Sequence, residues 1–330
     1  MGFFFSKPTY DPSRDIPDLT GRVALVTGAN SGVGFQTALQ LAKRGAKVYL
    51  GCRSESRAKD AIARMCKAAP GFNLEDRLVW LPLDLSVMKL ANQAGEELLS
   101  KETRLDILVN NAAWPIKAYE LSEDGIEKAV AVNHLGHFLL TNTVLPLMKS
   151  TAQLPGADVR IVAVTSASVA YFSPGSRDFS SLEALNSVQG KPGKENTFFS
   201  KLWRHWTTKF QNVLWASELQ RRLDAEGVPI TVIVVNPGSV KTEGYDHLPM
   251  WLVCLTSLFA VTPLQGAFTS LFAATSAEVA AAKETYKGAF LMTYGKISTV
   301  TKDARDPVLA KTLWETSERV VRDTLQRRGD

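Results

Sequence analysis

The fold of this chain is decided by the stretch RVALVTGANSGVG, residues 22–34. An apolar, β-branched run leads there into a glycine-rich turn that opens a helical pattern. Gly28 permits a tight turn, Gly32 lets backbone N–H groups approach a pyrophosphate, and Gly34 allows the helix to pack closely on the strand. Glycine-rich turns also occur without a ligand, so the motif needs support from the rest of the chain. We assign cofactor binding to the residues of this turn: Gly28, Asn30, Ser31, Gly32, Val33 and Gly34.

Six apolar runs alternate with segments of helical period along most of the sequence. They are RVALVT from Arg22, KVYLGC from Lys47, RLVWLPL from Arg77, LDILVNN from Leu105, VRIVAVTS from Val159 and ITVIVVNPG from Ile230. Runs that are apolar on both faces are typical of parallel strands covered by helices on both sides. The pattern predicts an α/β fold in which a Rossmann-type, doubly wound parallel sheet carries helices on both faces.

The same alternation predicts a single domain over residues 19–330, preceded by an N-terminal extension of residues 1–18. Two segments do not fit the alternation, about residues 170–200 and about residues 241–262. Both follow strand ends on the side where open α/β sheets bind ligands, so we predict a substrate loop and a substrate lid. Aromatic side chains in these segments suggest a bulky apolar ligand, although each could equally pack in the core: Phe172, Phe198, Phe199, Trp251 and Phe259.

Composition excludes several classes of protein. The chain has 330 residues with a net charge of +5, and its basic residues are scattered, which gives no support to nucleic-acid binding. Cys52, Cys66 and Cys254 have no metal-ligand spacing and cannot all pair, so no disulfide framework is expected. The expected location is the reducing cytoplasm.

No segment of the sequence predicts a membrane span. The N-terminal MGFFFSKPTYDPSRD is not a signal peptide, and the apolar stretch from Leu248 is too short to cross a bilayer about 30 Å thick. Met1 and Gly2 with Ser6 meet the loose pattern for N-myristoylation, which leaves acylation of Gly2 open.

The second predicted strand ends in GCRSESR, at the position where an acidic residue would bind the ribose 2′-hydroxyl of NAD. Arg53 stands there instead. A guanidinium can pair with a 2′-phosphate, so NADP(H) is favoured over NAD(H). The alternative is an ordinary solvated surface arginine.

Taken in order, the motifs resemble the short-chain dehydrogenase/reductase family, in particular the retinol-dehydrogenase-like branch that includes reductases of fungal secondary metabolism. They are TGANSGVG, LDL from Leu83, NNAA from Asn110, VNHLGHFLLT from Val132, VTSAS from Val164, the helix of Lys209 and NPGSVKT from Asn236. The resemblance implies hydride transfer from a nicotinamide and an Asn-Ser-Tyr-Lys active site. It also implies the possibility of a homodimer formed through the lysine helix.

Residue by residue, the resemblance implies the following roles. Asn133 would support the active-site lysine through a water, and Ser166 would hydrogen-bond the substrate oxygen, with Ser168 a weaker candidate. Lys209 is the match for that lysine, because it begins the run KFQNVLWASEL, which does not follow the competing Lys201. It would also contact the cofactor. Asp84 would hold the adenine amino group, and Asn111 would lie beside the adenosine ribose. Val240 and Thr242 would contact the nicotinamide end, and Leu85 would be a further cofactor contact.

The expected tyrosine is missing, and His205 occupies its position four residues before Lys209, on the same face of a helix. An imidazolium could protonate a developing alkoxide, and a neutral imidazole N–H could polarise a carbonyl. The Lys209 charge should disfavour the imidazolium. A proton-donating imidazolium would make turnover rise as the pH falls through about 6.5 or somewhat lower.

Three functions stay open. The first is an NADPH-dependent carbonyl or enone reductase acting on an apolar small molecule. The second is a non-redox catalyst, such as a cyclase, isomerase or dehydratase, that uses His205 as an acid or base. The third is a cofactor-binding protein without catalysis. His134 and His137 flank Asn133, but no carboxylate or thiol accompanies them, so no metal site is predicted.

Overall fold

The computed structural model describes residues 10–191, 193–240 and 260–327, and it contains an eight-stranded sheet. The strands are β1 (Val23–Thr27), β2 (Lys47–Cys52), β3 (Leu78–Pro82), β4 (Ile107–Asn110), β5 (Val159–Val164), β6 (Ile230–Val235), β7 (Phe290–Met292) and β8 (Lys296–Ser298). The six predicted strands are therefore present. The last two were not predicted, because runs of three residues carry almost no periodic signal.

Helices connect the strands and cover both faces of the sheet. They are α1 (Pro12–Asp15), α2 (Gly32–Lys43), α3 (Glu55–Ala68), α4 (Met88–Lys101), α5 (Lys128–Val130), α6 (Gly136–Ala152), α7 (Leu182–Leu185), α8 (Phe198–Ala225), α9 (Pro263–Thr275), α10 (Ala277–Ala281), α11 (Lys283–Tyr286) and α12 (Pro307–Arg327). A π-helical segment, Ala131–Leu135, joins α5 to α6. Short 3₁₀ turns lie at Ala167–Ala170, Thr293–Gly295 and Asp303–Arg305.

The strand order is β3-β2-β1-β4-β5-β6-β7-β8. The strands from β3 to β7 are parallel, and β8 pairs antiparallel with β7. From β1 the chain adds β2 and β3 toward one edge of the sheet, and it then crosses to β4 on the other side of β1. The topological switch point therefore lies between β1 and β4. Dinucleotide sites of open α/β sheets lie at the carboxyl ends of the strands beside such a point. The Rossmann-type doubly wound prediction is confirmed.

Two apolar cores lie on opposite faces of the sheet. One contains Leu25, Leu108 and Val232 with side chains of α4, α6, α8 and α12, and the other contains Val26 and Val109 with side chains of α2, α3 and α9. This arrangement explains why five of the strands are apolar on both faces. The edge strand β3 differs, since only two of its five residues are buried.

Residues assigned to the N-terminal extension pack on the domain from Tyr10 onward. The Tyr10 ring meets Phe272 edge to face, its hydroxyl is 3.0 Å from the Thr275 hydroxyl, and Ile16 is buried. The segment therefore closes one end of the second core.

Candidate active site

The glycine-rich turn at the end of β1 has the geometry that a pyrophosphate requires. Gly28 and Gly32 have φ of +67° and +59°, in the left-handed region that favours glycine. A Cβ on Gly34 would lie 2.5 Å from the carbonyl oxygen of Gly28, so the helix can approach the turn only because this residue has no side chain. Ser31 precedes α2 without capping it through its side chain, so the first-turn amides remain available to an anion.

Thr27 ties this turn to the carboxyl end of β4. Its hydroxyl oxygen accepts the backbone N–H groups of Asn111 and Ala112, each at 2.9 Å, and lies 2.8 Å from Nε2 of His137. The Asn111 side chain donates to the Thr27 carbonyl at 2.8 Å. Asn111 is therefore held beside the glycine turn, where the family resemblance places the adenosine ribose.

At the end of β2, the Arg53 side chain is exposed, and its guanidinium carbon lies 6.0 Å from the centre of the Trp114 ring. No ion pair joins Arg53 to any residue that the structure describes. Lys117 and Lys128 also approach the Trp114 ring, at 5.4 and 5.2 Å. The indole thus lies among three cations at the rim of the cleft, a position that its sequence neighbours alone did not reveal.

After β3, the Asp84 carboxylate accepts the backbone N–H and the hydroxyl of Ser86. Leu85 is buried, and its carbonyl oxygen would lie 2.4 Å from a Cβ on Gly136. The chain between β3 and α4 is therefore packed directly on the start of α6. Both residues sit at the carboxyl edge of the sheet, where an adenine contact was predicted.

Lys209 lies on α8 with its side chain buried, and its Nζ donates to the Val164 carbonyl at 3.1 Å. The hydroxyl of Thr165 donates to the Lys209 carbonyl at 2.8 Å, which fixes the helix against the end of β5. Burial lowers the pKa of Lys209 to about 8. The competing Lys201 lies elsewhere, in a shallow cleft with Ile116 and Ala118.

His205 lies one helical turn before Lys209, as predicted from the spacing. Burial, and secondarily the Lys209 charge, lower the pKa of His205 to about 3, while interaction with the Trp114 backbone opposes part of that lowering of the pKa. Nδ1 is buried without a hydrogen-bond partner among the described residues. The imidazolium form is therefore absent at neutral pH. The sequence identified the Lys209 effect but not burial, which is the larger cause.

Asn133 lies within the π-helical segment, the kind of local irregularity that often occurs at functional sites. Its Oδ1 accepts a hydrogen bond from the backbone N–H of Trp114 at 2.6 Å, and its side-chain NH₂ donates to the Thr208 hydroxyl at 2.9 Å. The side-chain amide of Asn212, in its hydrogen-bonded orientation, donates to the Asn133 carbonyl at 2.8 Å. Asn133 therefore joins the chain after β4 to the helix of Lys209.

Ser166 follows β5 at the carboxyl edge of the sheet, and its hydroxyl accepts the Ser168 N–H at 3.2 Å. The Ser168 hydroxyl is buried without a partner among the described residues. Ser166 is the more accessible of the two, because Ser168 is 8% exposed whereas Ser166 is only partly buried.

An aromatic cluster, which sequence reasoning only partly identified, includes two α8 residues that neighbour His205 in sequence. Phe172 stacks on Trp206 with ring centres 4.5 Å apart, and Trp203 meets both rings edge to face. Trp203 and Trp206 are three residues apart and flank His205 in sequence, a spacing that could have indicated them. Phe198 contacts Phe199, which is 68% exposed.

Other predicted residues lie at or beyond the edge of this region. Val240 is buried and forms an isolated parallel bridge with Val261. Thr242, Trp251 and Phe259, and most of the predicted lid, lie outside the described residues.

His134 and His137, the two other histidines among the described residues, pack inside the fold. His134 Nε2 lies 2.8 Å from the hydroxyl of Ser317 on α12, and His137 contacts Thr27 as described above. Among residues 10–191, 193–240 and 260–327, no group of three or more His, Cys, Asp or Glu side chains could hold a metal ion. None of the helices described is both long and apolar enough to span a membrane.

The Arg222 guanidinium lies over the Trp314 ring at 4.4 Å, so α12 covers one flank of α8.

Comparison with known proteins agrees with this architecture. The short chain dehydrogenase family model matches residues 22–181. The short chain dehydrogenase/reductase dpchH of Colletotrichum higginsianum is 44% identical over 313 residues, 94% of this chain and 78% of that protein. Human retinol dehydrogenase 14 is 36% identical over 91% of this chain and 86% of its own length.

A solved structure has a similar fold. An uncharacterized protein from Mycobacterium paratuberculosis is 27% identical and superimposes with a TM-score of 0.68, covering 95% of this chain and 97% of that one. With relatives so similar along nearly its full length, the chain belongs to the short-chain dehydrogenase/reductase family and is of the retinol-dehydrogenase-like kind.

Proposed function

We propose that this protein is an NADPH-dependent reductase of a carbonyl or enone group on a bulky apolar small molecule. The observation that carries the proposal is that Lys209, one helical turn after His205, donates to the Val164 carbonyl two residues before Ser166, at the carboxyl edge of the sheet whose switch point carries the glycine-rich turn. The relatives in fungi and the family itself favour oxidoreductase chemistry.

NADP(H) fits the residues present. Gly28, Gly32 and Gly34 provide a cradle that side chains would fill, and the uncapped start of α2 favours an anion. Arg53, exposed and without a carboxylate partner among the described residues, would hold the 2′-phosphate. Asn111 would lie beside the adenosine ribose, and the other cofactor contacts would be those predicted: Asn30, Ser31, Val33, Asp84, Leu85, Lys209, Val240 and Thr242.

When bound, a nicotinamide cofactor would supply the hydride for reduction of the substrate carbon. The Ser166 hydroxyl donates a hydrogen bond to the substrate oxygen. His205 is neutral, so it polarises this oxygen through an N–H group instead of transferring the proton of an imidazolium. The Lys209 ammonium stabilises the developing negative charge and, with a pKa of about 8, is the better source of the proton.

This assignment changes the pH dependence expected from the sequence. With a His205 pKa of about 3, turnover should not rise on acidification through pH 6.5. It should instead fall above about pH 8, as Lys209 loses its proton. The aromatic cluster of Phe172, Trp203 and Trp206 supports a flat, apolar substrate.

The decisive experiment incubates the purified protein with NADPH and a panel of apolar ketones, enones and quinones, following both nicotinamide absorbance and product mass. Substrate-dependent NADPH oxidation with a product heavier by two hydrogens is the expected result. A rearranged or dehydrated product without NADPH oxidation would replace the proposal by the non-redox alternative. Binding of NADPH without any product across the panel would favour a protein without catalysis.

Cofactor preference is tested separately by titration calorimetry with NADPH and NADH on the wild type and on Arg53→Ala. Loss of a hydrogen-bonded charge pair weakens NADPH binding by about 1.5–3 kcal/mol, whereas NADH binding should change little. Lys59→Ala, an exposed change on the neighbouring helix, is the control. Equal affinity of the wild type for both cofactors would remove the preference for NADPH.

A further inference from the structure

Arg204, the residue immediately before His205 on α8, is buried although it carries a charge, with only 4% of its surface exposed. Its guanidinium lies where three parts of the chain meet. Nη1 donates to the carbonyls of Val188, at 3.3 Å, and Glu195, while Nη2 donates to the carbonyl of Lys117 at 3.1 Å. Arg204 thus connects the loop before α8, the chain after β4 and α8 itself.

The charge of Arg204 is matched locally. Its Nε lies 3.8 Å from Oε1 of Glu127, which is also buried, and its guanidinium lies over the Tyr119 ring at 5.5 Å. The three carbonyl contacts are made by N–H groups that the planar guanidinium holds in fixed directions. A lysine would keep the charge, but its single nitrogen could not reach carbonyls on separate segments in the same way.

Further hydrogen bonds join the two segments that Arg204 holds. The Tyr119 N–H donates to Oδ1 of Asn196 at 2.6 Å, and the Tyr119 hydroxyl donates to the Asn186 carbonyl at 3.1 Å. The Glu127 N–H donates to Oδ1 of Asn186 at 2.8 Å. The loop before α8 is therefore attached to the chain after β4 around Arg204, instead of lying free over the cleft.

This junction is connected to the chemistry through Trp114. The Trp114 backbone N–H donates to Oδ1 of Asn133 at 2.6 Å, and the Asn133 side chain donates in turn to the hydroxyl of Thr208, the residue before Lys209 on α8. Lys117, whose carbonyl Arg204 holds, follows Trp114 by three residues. The short stretch from Trp114 to Lys117 is thus held at one end by the active site and at the other by Arg204.

We propose that Arg204 is a positioning residue that fixes the loop before α8 as a wall of the substrate cleft and holds the stretch from Trp114 to Lys117 against Asn133. The specificity part of this proposal rests on the reductase function proposed above. The loop part and the Trp114 part do not, since they can be measured without turnover.

The test compares the wild type with Arg204→Lys and with the double variant Arg204→Met, Glu127→Gln, which removes the partner charge as well. Arg221→Met, an exposed change on the same helix, is the matched control. Thermal unfolding and NADPH titration first establish that each variant is folded and binds the cofactor with wild-type affinity. None of the Arg204 contacts described involves the glycine turn or Arg53, so this affinity should not change.

Two readouts then decide the proposal without any substrate. Trypsin cleavage after Lys194 should accelerate roughly tenfold or more in the folded double variant, since losing a hydrogen bond to a charged group shifts a local equilibrium by about that factor. The indole N–H signal of Trp114 in an NMR spectrum, assigned with Trp114→Phe, should move in the folded double variant. Wild-type protection of the loop together with an unchanged Trp114 signal would overturn the proposal.

Two further arms complete the design. If the double variant does not fold, the same two measurements on Arg204→Lys test the proposal, because lysine keeps the charge but lacks the planar set of N–H donors. With a substrate identified, the double variant should raise KM roughly tenfold or more with a smaller change in kcat. An unchanged KM in a variant with a released loop would overturn the specificity part alone, and failure to find any substrate would count against the reductase function and not against the loop readouts.

Discussion

Acidification from pH 7.5 to 5.5 should destabilise the fold through the buried histidines of the helix that carries Asn133. Burial lowers the pKa values of His134 and His137 to about 3, whereas an unfolded histidine titrates near 6.5. His137 Nδ1 faces the Asn133 carbonyl at 3.4 Å, so Nε2 accepts the Thr27 hydroxyl proton at 2.8 Å, nearer than the Val109 carbonyl at 3.4 Å. An additional proton on that nitrogen would break this contact beside the glycine turn.

The sign and size of this change in the free energy of unfolding follow from proton linkage. Below pH 6.5 the unfolded chain binds protons that the folded chain excludes, so stability is lost as the pH falls. Each histidine contributes a loss of about 1.4 kcal/mol between pH 7.5 and 5.5, or about 2.7 kcal/mol for the two. Domains typically have only about 5–15 kcal/mol in total, so this is a measurable fraction. His205 acts in the same direction.

Urea unfolding followed by circular dichroism at pH 7.5, 6.5 and 5.5 measures the effect. His134→Gln and His137→Gln should each reduce the acid-induced loss by about 1.4 kcal/mol, whatever they do to stability at pH 7.5. Thr141→Val, a buried change on the same helix, should leave the pH dependence unaltered. Burial raises the pKa of Glu127 and gives a contribution of opposite sign, but every variant retains it. Variants with the full wild-type pH dependence would refute the reasoning.

Three other outcomes are expected. Gly34→Ala should abolish NADPH binding in titration calorimetry, because its Cβ would lie 2.5 Å from the Gly28 carbonyl oxygen; wild-type affinity would exclude this turn as the phosphate site. His205→Phe should lower turnover by roughly 10²–10³-fold, as loss of one donor to a developing oxyanion does, while His205→Tyr retains it; equal rates in all three proteins would remove His205 from the mechanism. Phe172→Ala, which removes the stack on Trp206, should raise KM for flat aromatic substrates more than for aliphatic ones, and a uniform change would count against that subsite.

Much of the fold could be predicted because its signals are local. The six long strands, the turn of residues 27–34 and the helix of Lys209 each follow from periodicity or from glycines at set spacing. The short strands β7 and β8 could not be predicted, since three residues show no period and their pairing depends on β6. Asn133 could be identified from its motif, but its place in a π-helical segment could not.

By itself, the sequence determined the doubly wound class of the sheet, the position of the glycine-rich turn and the one-turn separation of His205 from Lys209. These depend on neighbours within a few residues, which backbone geometry places directly. Only the tertiary structure decided that His205 is neutral, that Trp114 lies between Arg53 and the active site, and that Arg204 holds the loop before α8. Burial and these contacts come from packing segments distant in the chain, and the desolvation that sets a pKa exists only once those segments have come together.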